Sequence, residues 1–475
     1  MLERLVPSSN EQYKELLNRV VEGVEWVKSL KPPVLLVSHY DADGLCAATA
    51  MVKMFNLLKV PYHLKVVEQL TPKLISELMR MSYRSIVFLD LGSGYLDYIK
   101  PGREKKVLVI DHHLPQGDPS ENVFEVNPHR FGVDGARDVS SSALSFLLYD
   151  GVSGGAEEDI HLALIGALGD RQDQGRRFRL VGINKLIADE GVKLGLVEEK
   201  IGLRLYGIHT RPLVRALSLT MDPPVPNLAG NEDACLSFLK RIGVNPIKGE
   251  ELRKYSDLTL EERRVLATEL VKMMISAGYP VNEAERIFGA MYYLRRESPL
   301  SPLSDAREYA YVVNACGRLD HHAVAIGLLM HIRGELLSRA LSYIREYRRL
   351  LFKALKQASG GGVKVLEDEY LLVYDYKTSL PSKVTGSVAS ILSSSTKTRA
   401  KVLVVTASFS EDYVKVSARK TATRSRVNIG EILTRTAVKV GGTGGGHREA
   451  GGALIPSQSY NEFIESLREV IKSEG

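Results

Sequence analysis

Val34-Leu-Leu-Val-Ser-His-Tyr-Asp-Ala-Asp-Gly44 is the stretch on which the reading of this chain turns. Its first four residues, Val34 to Val37, form an unbroken apolar run, the pattern of a buried strand. The run then turns polar and delivers His39, Asp41 and Asp43, and Leu45-Cys-Ala-Ala-Thr-Ala-Met-Val-Lys-Met-Phe55 resumes with apolar residues at helical spacing. The acidic cluster therefore stands at a strand's C-terminal end just ahead of a helix, where open α/β sheets bind ligands. Two carboxylates so close repel each other unless something positive sits between them. Hard divalent cations meet that need. The alternative for this stretch alone is an Asp-rich surface turn.

Working outward, the pattern recurs. Residues 10 to 30 carry Tyr13, Leu16, Leu17, Val20, Val21 and Val24 at three- and four-residue steps, which predicts an amphipathic helix. Beyond the Leu45–Leu58 helix lie an expected strand, Tyr62 to Val67, and a short helix, Leu74 to Met81. Ser85-Ile-Val-Phe-Leu-Asp-Leu-Gly92 reads as a strand ending in Asp90, and Lys106-Val-Leu-Val-Ile-Asp-His-His113 as a strand ending in Asp111, His112 and His113. Strands alternating with helices predict a mostly parallel sheet. In such a sheet the strand ends share one edge, so Asp41, Asp43, Asp90 and His112 can converge. Ser141-Ser-Ala-Leu-Ser-Phe-Leu-Leu-Tyr149 predicts a helix, and the apolar run from Ile160 delivers Asp170 after Gly169. Arg171, Arg176, Arg177 and Arg179 follow, either a phosphate-binding group or a solvated basic loop.

The chain has 475 residues, enough for two or three domains, with 25% charged and 44% apolar residues, an ordinary soluble balance. A net charge of +6 is compatible with a polyanionic partner. Cys46, Cys235 and Cys316 are scattered, with neither a disulfide framework nor zinc spacing, which points to a reducing cytoplasm. No signal-like or membrane-spanning run is visible. Residues 183 to 300 read as mostly helical, bounded by a loop at Pro223, Pro224, Pro226 and Asn227 and another at Glu297-Ser-Pro-Leu-Ser-Pro302. They show no chemical motif, so they are either an elaboration of the fold or a docking module.

His321 to Ala358 predicts one long helix with Leu329, Ile332, Leu336, Leu341, Ile344, Leu351 and Leu355 near one stripe, stopped by Gly360-Gly-Gly362. Such an element can join two lobes across a cleft too narrow for a duplex. The final lobe reads as mixed α/β, with strands at Val363–Val365, Tyr370–Tyr376, Lys401–Ala407 and Tyr413–Ala418 and a helix near Gly386–Ser393. Its basic residues Arg419, Lys420, Arg424 and Arg426 suit a sugar-phosphate backbone. The Gly444–Gly446 run ahead of His447-Arg448 is either a phosphate-binding nest or a flexible loop. A second Asp-His-His, Asp320 to His322, follows no apolar strand and is expected to start a helix with Asp320 as cap or first-turn acid.

These residues resemble the DHH phosphoesterase superfamily. The resemblance lies in His39-Tyr-Asp-Ala-Asp-Gly44, in Phe88-Leu-Asp-Leu-Gly92, in Asp111-His-His113 and in Gly166-Ala-Leu-Gly-Asp170. Gly444-Gly-Gly-His-Arg-Glu-Ala-Gly-Gly452 and Ser417-Ala-Arg419 resemble the companion DHHA1 domain, and Asn314-Ala-Cys-Gly-Arg-Leu319 resembles an element of RecJ-type exonucleases. Within the superfamily the chain is similar to the archaeal RecJ-like nucleases that associate with the replicative GINS complex. It departs from many DHH enzymes in one place. The position of a common histidine is Val37, and His39 stands where RecJ-type proteins often carry Asp.

The resemblance implies an α/β protein with a mostly parallel-sheet DHH catalytic lobe (1–210), a helical insertion (211–300), a RecJ-like element with a connecting helix (301–359) and a smaller mixed α/β DHHA1 lobe (360–475). It implies two Mn²⁺ ions, or Mg²⁺, one held by His39, Asp41 and Asp90 and the other by Asp43, Asp90, His112 and Asp170. His113 would contact the scissile phosphate, and Arg318, Ser417, Arg419, Gly445, Gly446 and His447 would hold the strand. The implied activity is single-strand exonuclease cleavage, 5′→3′ on DNA with RNA as a further substrate. The implied partners are GINS and MCM, reached through the insertion. The alternatives are a short-oligonucleotide or cyclic-dinucleotide phosphodiesterase and an inactive replication scaffold, the last opposed by the retention of the acidic ligand positions.

Overall fold

The computed structural model describes residues 1–2, 4–5, 10–221, 223–396, 398–421 and 427–474, with residues 282 and 283 described by their backbone alone. They form two compact units, residues 1–200 with 290–347 and residues 201–289 with 348–475. Among the described residues no helix is long and apolar enough to cross a membrane.

The first unit is built on a parallel sheet. Val34–His39 (β1) lies between Tyr62–Val67 (β2) and Ser85–Leu89 (β3), followed outward by Lys106–Ile110 (β4) and Val123–Val126 (β5). Residues Val34 to Val37 are fully buried, which is why the strand reads as a continuous apolar run rather than an alternation. The strand β5 was not expected. Its Val-Phe-Glu-Val sequence carries a charge mid-strand, and the structure buries that Glu125 with Ser93 and Arg130 as its partners.

The helices Glu11–Lys28 (α1), Ala42–Leu58 (α2), Pro72–Arg80 (α3), Ser141–Ser153 (α4), His161–Gly169 (α5) and Gly182–Lys193 (α6) complete this part of the unit. α2 begins three residues before the expected Leu45, because Asp41 caps it by accepting a hydrogen bond from Gly44 N at 3.0 Å. The apolar run leading to Asp170 is α5, a helix buried along its whole length, and so has no polar stripe.

Val197–Leu203 (β6) pairs with the returning strand Phe288–Leu294, so the stretch 183–300, expected to be mostly helical, contains a strand near each end. Between them lie Leu213–Leu219 (α7), Glu232–Arg241 (α8), the two-residue strands Ile247–Lys248 (β7) and Glu251–Leu252 (β8), Leu260–Ser276 (α9) and Val281–Glu285 (α10). This segment closes its own core around Leu213, Leu217, Phe238, Leu266 and Leu270. The returning strand is β9, and Ala306–Arg318 (α11) follows it.

The single helix expected from His321 to Ala358 is two, His322–Leu329 (α12) and Glu335–Ser359 (α13). His331 and Gly334 take the left-handed conformation (φ 62° and 66°) and break the path, and Ile332, expected on the buried stripe, is exposed. Asp320 is not a cap or first-turn acid. It sits in the turn before α12 at φ 63°, and His321 occupies the capping position.

α13 continues into the second unit's mixed sheet, in the order β10-β11-β12-β13-β15-β14. Its strands are Lys364–Glu367 (β10), Leu371–Asp375 (β11), Val402–Ser408 (β12), Tyr413–Lys420 (β13), Thr443–Gly446 (β14) and Ala450–Pro456 (β15). The helix expected near Gly386 is Thr385–Ser395 (α14), and Ile429–Lys439 (α15) and Tyr460–Glu474 (α16) were not expected. α16 buries Phe463, Leu467 and Ile471, four residues apart, a helical signature present in the sequence.

Candidate metal centre

The sheet register sets the site. Ser38 is level with Leu89 and Leu89 with Ile110, so His39, Asp90 and Asp111 leave β1, β3 and β4 at one height. Asp90 turns at once into the left-handed region (φ 61°), a conformation that Asp tolerates better than most residues. His39 Nδ1 lies 3.0 Å from Asp41 Oδ2 and 3.2 Å from Asp90 Oδ2. His112 Nε2 lies 3.4 Å from Asp90 Oδ1. Ligand atoms of His39, Asp41 and Asp90, and again of Asp90, His112 and His113, lie within 4.8 Å of one another, with Asp90 common to both groups.

Asp43 and Asp170 lie beside these groups rather than inside them. The Asp43 oxygens accept hydrogen bonds from Ser141 N (2.8 Å) and Ser142 N (3.0 Å), so the first turn of α4 fixes the carboxylate and each oxygen keeps a lone pair. Asp170 follows α5 and accepts from Gln172 Nε2 at 2.9 Å. His113 donates from Nδ1 to Asp111 Oδ1 at 2.8 Å and leaves its ring about half exposed.

The electrostatics call for a cation. Burial, and after it Asp41, Asp43, Asp111 and Asp170, push the Asp90 carboxyl well above the usual range. Burial together with Asp43 and Asp41 pushes Asp170 up to about 8. Burial would raise Asp41 too, but His39, Gly44 N–H and Arg318 outweigh it and hold that carboxyl well below the usual range. Asp90 Oδ1 is buried with no hydrogen-bond partner, a costly state for a carboxylate oxygen and one that a bound cation relieves. His112 donates from Nδ1 to the Gly135 carbonyl at 2.8 Å, which leaves the Nε2 lone pair facing Asp90, the arrangement of a metal-ligating histidine. The donors present fit a divalent cation of the Mn²⁺ or Mg²⁺ type.

Two supporting side chains were not read as functional from the sequence. Asn314 Oδ1 accepts from Ala42 N at 3.0 Å and its Nδ2 reaches Gly169 O at 3.5 Å, tying the Asp41–Asp43 turn to the end of α5. Gln172 spends its two N–H groups on Asp170 and the Gly135 carbonyl (both 2.9 Å) and is itself held through Oε1 by Asn184. Arg318, on the last turn of α11, contributes positive charge beside Asp41, and its Nε is buried without a partner. Of the expected basic group after Asp170, Arg179 pairs with Glu199 at 2.5 Å and Arg176 and Arg177 are exposed.

In the second unit the expected strand-binding residues share one part of the sheet. Ser417 is level with Gly452 and Gly452 with Gly445, across β13, β15 and β14. Ser417 Oγ lies 2.9 Å from Thr385 Oγ1, and Arg419 donates to Ser390 Oγ (2.9 Å) and to the Ala418 carbonyl (2.8 Å). Gly444 to Gly446 are an extended strand paired with β15, neither a curled nest nor a loose loop. Glycine is needed there because α15 packs so close that a Cβ on Gly444 would meet the Leu433 carbonyl oxygen at 2.7 Å. His447, partly exposed, begins the turn from β14 to β15. Arg424 and Arg426 lie outside the described residues.

Comparisons with known proteins agree with this layout. The family model for the DHH family N-terminal domain matches residues 33–168, that for the DHH-CID domain residues 205–288, and that for the DHHA1 domain residues 368–473. An uncharacterized protein of Methanocaldococcus jannaschii is 27% identical over 472 residues, covering 96% of this chain and 99% of its own length. RecJ from Thermus thermophilus, solved with Mn²⁺, superposes with a TM-score of 0.56 at 18% identity over 96% of this chain. The chain spans only 55% of that RecJ's length. CDC45 from Entamoeba histolytica superposes with a TM-score of 0.61 at 11% identity, covering 97% of this chain and 98% of its own. The chain thus carries matches to the DHH, DHH-CID and DHHA1 domain models in this order, on a RecJ-like fold.

Proposed function

We propose that this protein is a metal-dependent phosphodiesterase that degrades single-stranded nucleic acid from an end, a RecJ-type exonuclease acting 5′→3′ on DNA, with RNA as a further substrate. The observation that carries the reading is the convergence of His39, Asp41 and His112 on the Asp90 carboxylate, whose buried Oδ1 makes no hydrogen bond among the described residues. Two Mn²⁺ ions about 3.5–4 Å apart, or Mg²⁺ in their place, would supply an activated water and charge for the leaving oxygen. In this reading His39, Asp41 and Asp90 hold one ion, and Asp43, Asp90, His112 and Asp170 the other. His113, oriented by Asp111, faces the scissile phosphate, and the Arg318 Nε–H is free to meet a phosphate oxygen. Ser417, Arg419, Gly445, Gly446 and His447 hold the sugar-phosphate backbone, which sets affinity without reading sequence.

The setting proposed is cytoplasmic DNA replication or repair, as in the archaeal GINS-associated RecJ-like nucleases, with the DHH-CID segment docking GINS or MCM. The free, buried cysteines fit a reducing compartment. Leu260, Ile275 and Val281 leave exposed apolar surface on that segment for a protein partner. The likeness to CDC45 favours one second reading, a replication scaffold without catalysis. Digestion of 5′- and 3′-end-labelled single strands of DNA and RNA with Mn²⁺ separates the two. The exonuclease reading expects stepwise shortening of DNA from the 5′ end, abolished by Asp43→Ala. A folded Asp43→Ala protein as active as the parent would refute it, and a parent inert with every divalent cation would leave the scaffold.

A further inference from the structure

We propose that Asp159, His161 and His331 form a second metal site, separate from the Asp90 centre, that takes one late first-row divalent cation, Zn²⁺ by preference. Asp159 ends the short turn Glu157–Asp159, His161 opens α5, and His331 lies in the link between α12 and α13. A ligand atom from each lies within 4.8 Å of the others. Two imidazoles and one carboxylate are a zinc set with a coordination position left open.

The two rings are presented as ligands. His161 is almost wholly buried and donates from Nε2 to the Leu329 carbonyl at 2.9 Å, so Nδ1 carries the lone pair, and that atom is buried without a partner. A backbone carbonyl on the far nitrogen is the support that metal-bound histidines use. His331 Nε2 is buried with no hydrogen bond within 3.5 Å and faces Asp159 Oδ1 at 3.8 Å, while Arg333 Nη2 (3.3 Å) and Glu297 Oε1 (3.6 Å) stand at Nδ1 on the other side of the ring. The ring centroids are 4.4 Å apart. A cavity of about 10 Å³, lined by Glu158, His161, Arg296, Glu297 and His331 but not by Asp159, adjoins the two rings.

The charges around the cluster pair off. Lys53 holds Asp159 (2.5 Å), Arg296 holds Glu158 (3.0 Å) and Arg333 holds Glu297. Tyr149 also donates to Asp159 Oδ2, at 3.3 Å. Asp159 and Glu297, which face the His331 ring from its two sides, raise its basicity, so a proton competes with Zn²⁺ there. Once bound, the ion would pin the start of α5, the helix that ends at Asp170, to the strained His331 link.

The test is Zn²⁺ binding to the full-length Asp90→Asn protein, stripped with chelator, so that the first centre does not compete. One Zn²⁺ per chain is expected, weakened about 100-fold or more by adding His331→Gln, as loss of one of three ligands requires. His331→Gln alone should keep the parent's Mn²⁺-dependent cleavage. His161→Gln gives the same reading should His331→Gln not fold, and Zn²⁺ should raise the thermal midpoint of Asp90→Asn itself. Equal Zn²⁺ affinity with and without the histidine, or none in Asp90→Asn, would overturn the proposal and leave His331 as a protonated bridge between Asp159 and Glu297.

Discussion

Gly317 measures how little room the centre leaves. A Cβ there would meet the Tyr40 carbonyl oxygen at 1.8 Å, so α11 lies directly on the turn that carries Asp41. Gly317→Ala must push one of them aside. Overpacking of this kind costs about 1–3 kcal/mol, and the expected result is a lower melting temperature with a larger loss of Mn²⁺-dependent cleavage. Parallel melts and cleavage rates check this, and unchanged cleavage would mean that the Asp41 turn tolerates displacement. At this scale the sequence was legible wherever a polar residue ended an apolar run, as His39, Asp90 and His112 do. Asn314 was legible only as part of a motif, because its partner Ala42 N is 272 residues away and no local pattern records such a bond. Gln172 was hidden among charged neighbours, although it is wholly buried.

Among elements, α9 has a start that the structure spells out. Thr259 and Glu262 cap it reciprocally, and Glu262 also takes two bonds from Arg253 (both 2.8 Å). The Arg253 bonds come first among the causes that hold Glu262 down to about 2, below the 4.5 of an ordinary Glu. Since the folded value is the lower one, the pair stabilises the fold above about pH 4.5, and that contribution is lost as pH falls toward 2. Glu262→Gln should therefore melt slightly below the parent at pH 7, with the gap closing between about pH 5 and pH 3. A gap independent of pH would assign the effect to the neutral cap alone. The break at His331 shows the limit of periodicity. Leu329 and Leu336 keep the helical beat across the gap, but left-handed residues at 331 and 334 interrupt the path, and apolar spacing does not register backbone handedness.

For the whole molecule, the order of strands, helices and motifs was enough to bring His39, Asp41, Asp90 and His112 to one edge of the sheet, whereas the division into units depended on contacts between distant segments. The DHH-CID segment keeps its own core from Leu203 to Ile287, so it should come out as one piece. Replacing residues 205–286 with a short Gly/Ser linker is expected to preserve Mn²⁺-dependent cleavage and to abolish capture of GINS or MCM subunits in a pull-down. Unchanged capture would remove the segment from the docking role, and lost cleavage in a folded protein would give it a catalytic one.

The most direct test of the centre is Mn²⁺ binding to the parent and to Asp90→Asn, followed by the magnetic resonance signal of free Mn²⁺, with single-strand cleavage assayed on the same samples. Asp90 is common to both ligand groups, and its buried Oδ1 makes no hydrogen bond among the described residues. The expected result is tight Mn²⁺ uptake by the parent, lost together with cleavage in a normally folded Asp90→Asn protein. An Asp90→Asn protein that takes up Mn²⁺ and cleaves like the parent would contradict the assignment of this cluster as the metal centre.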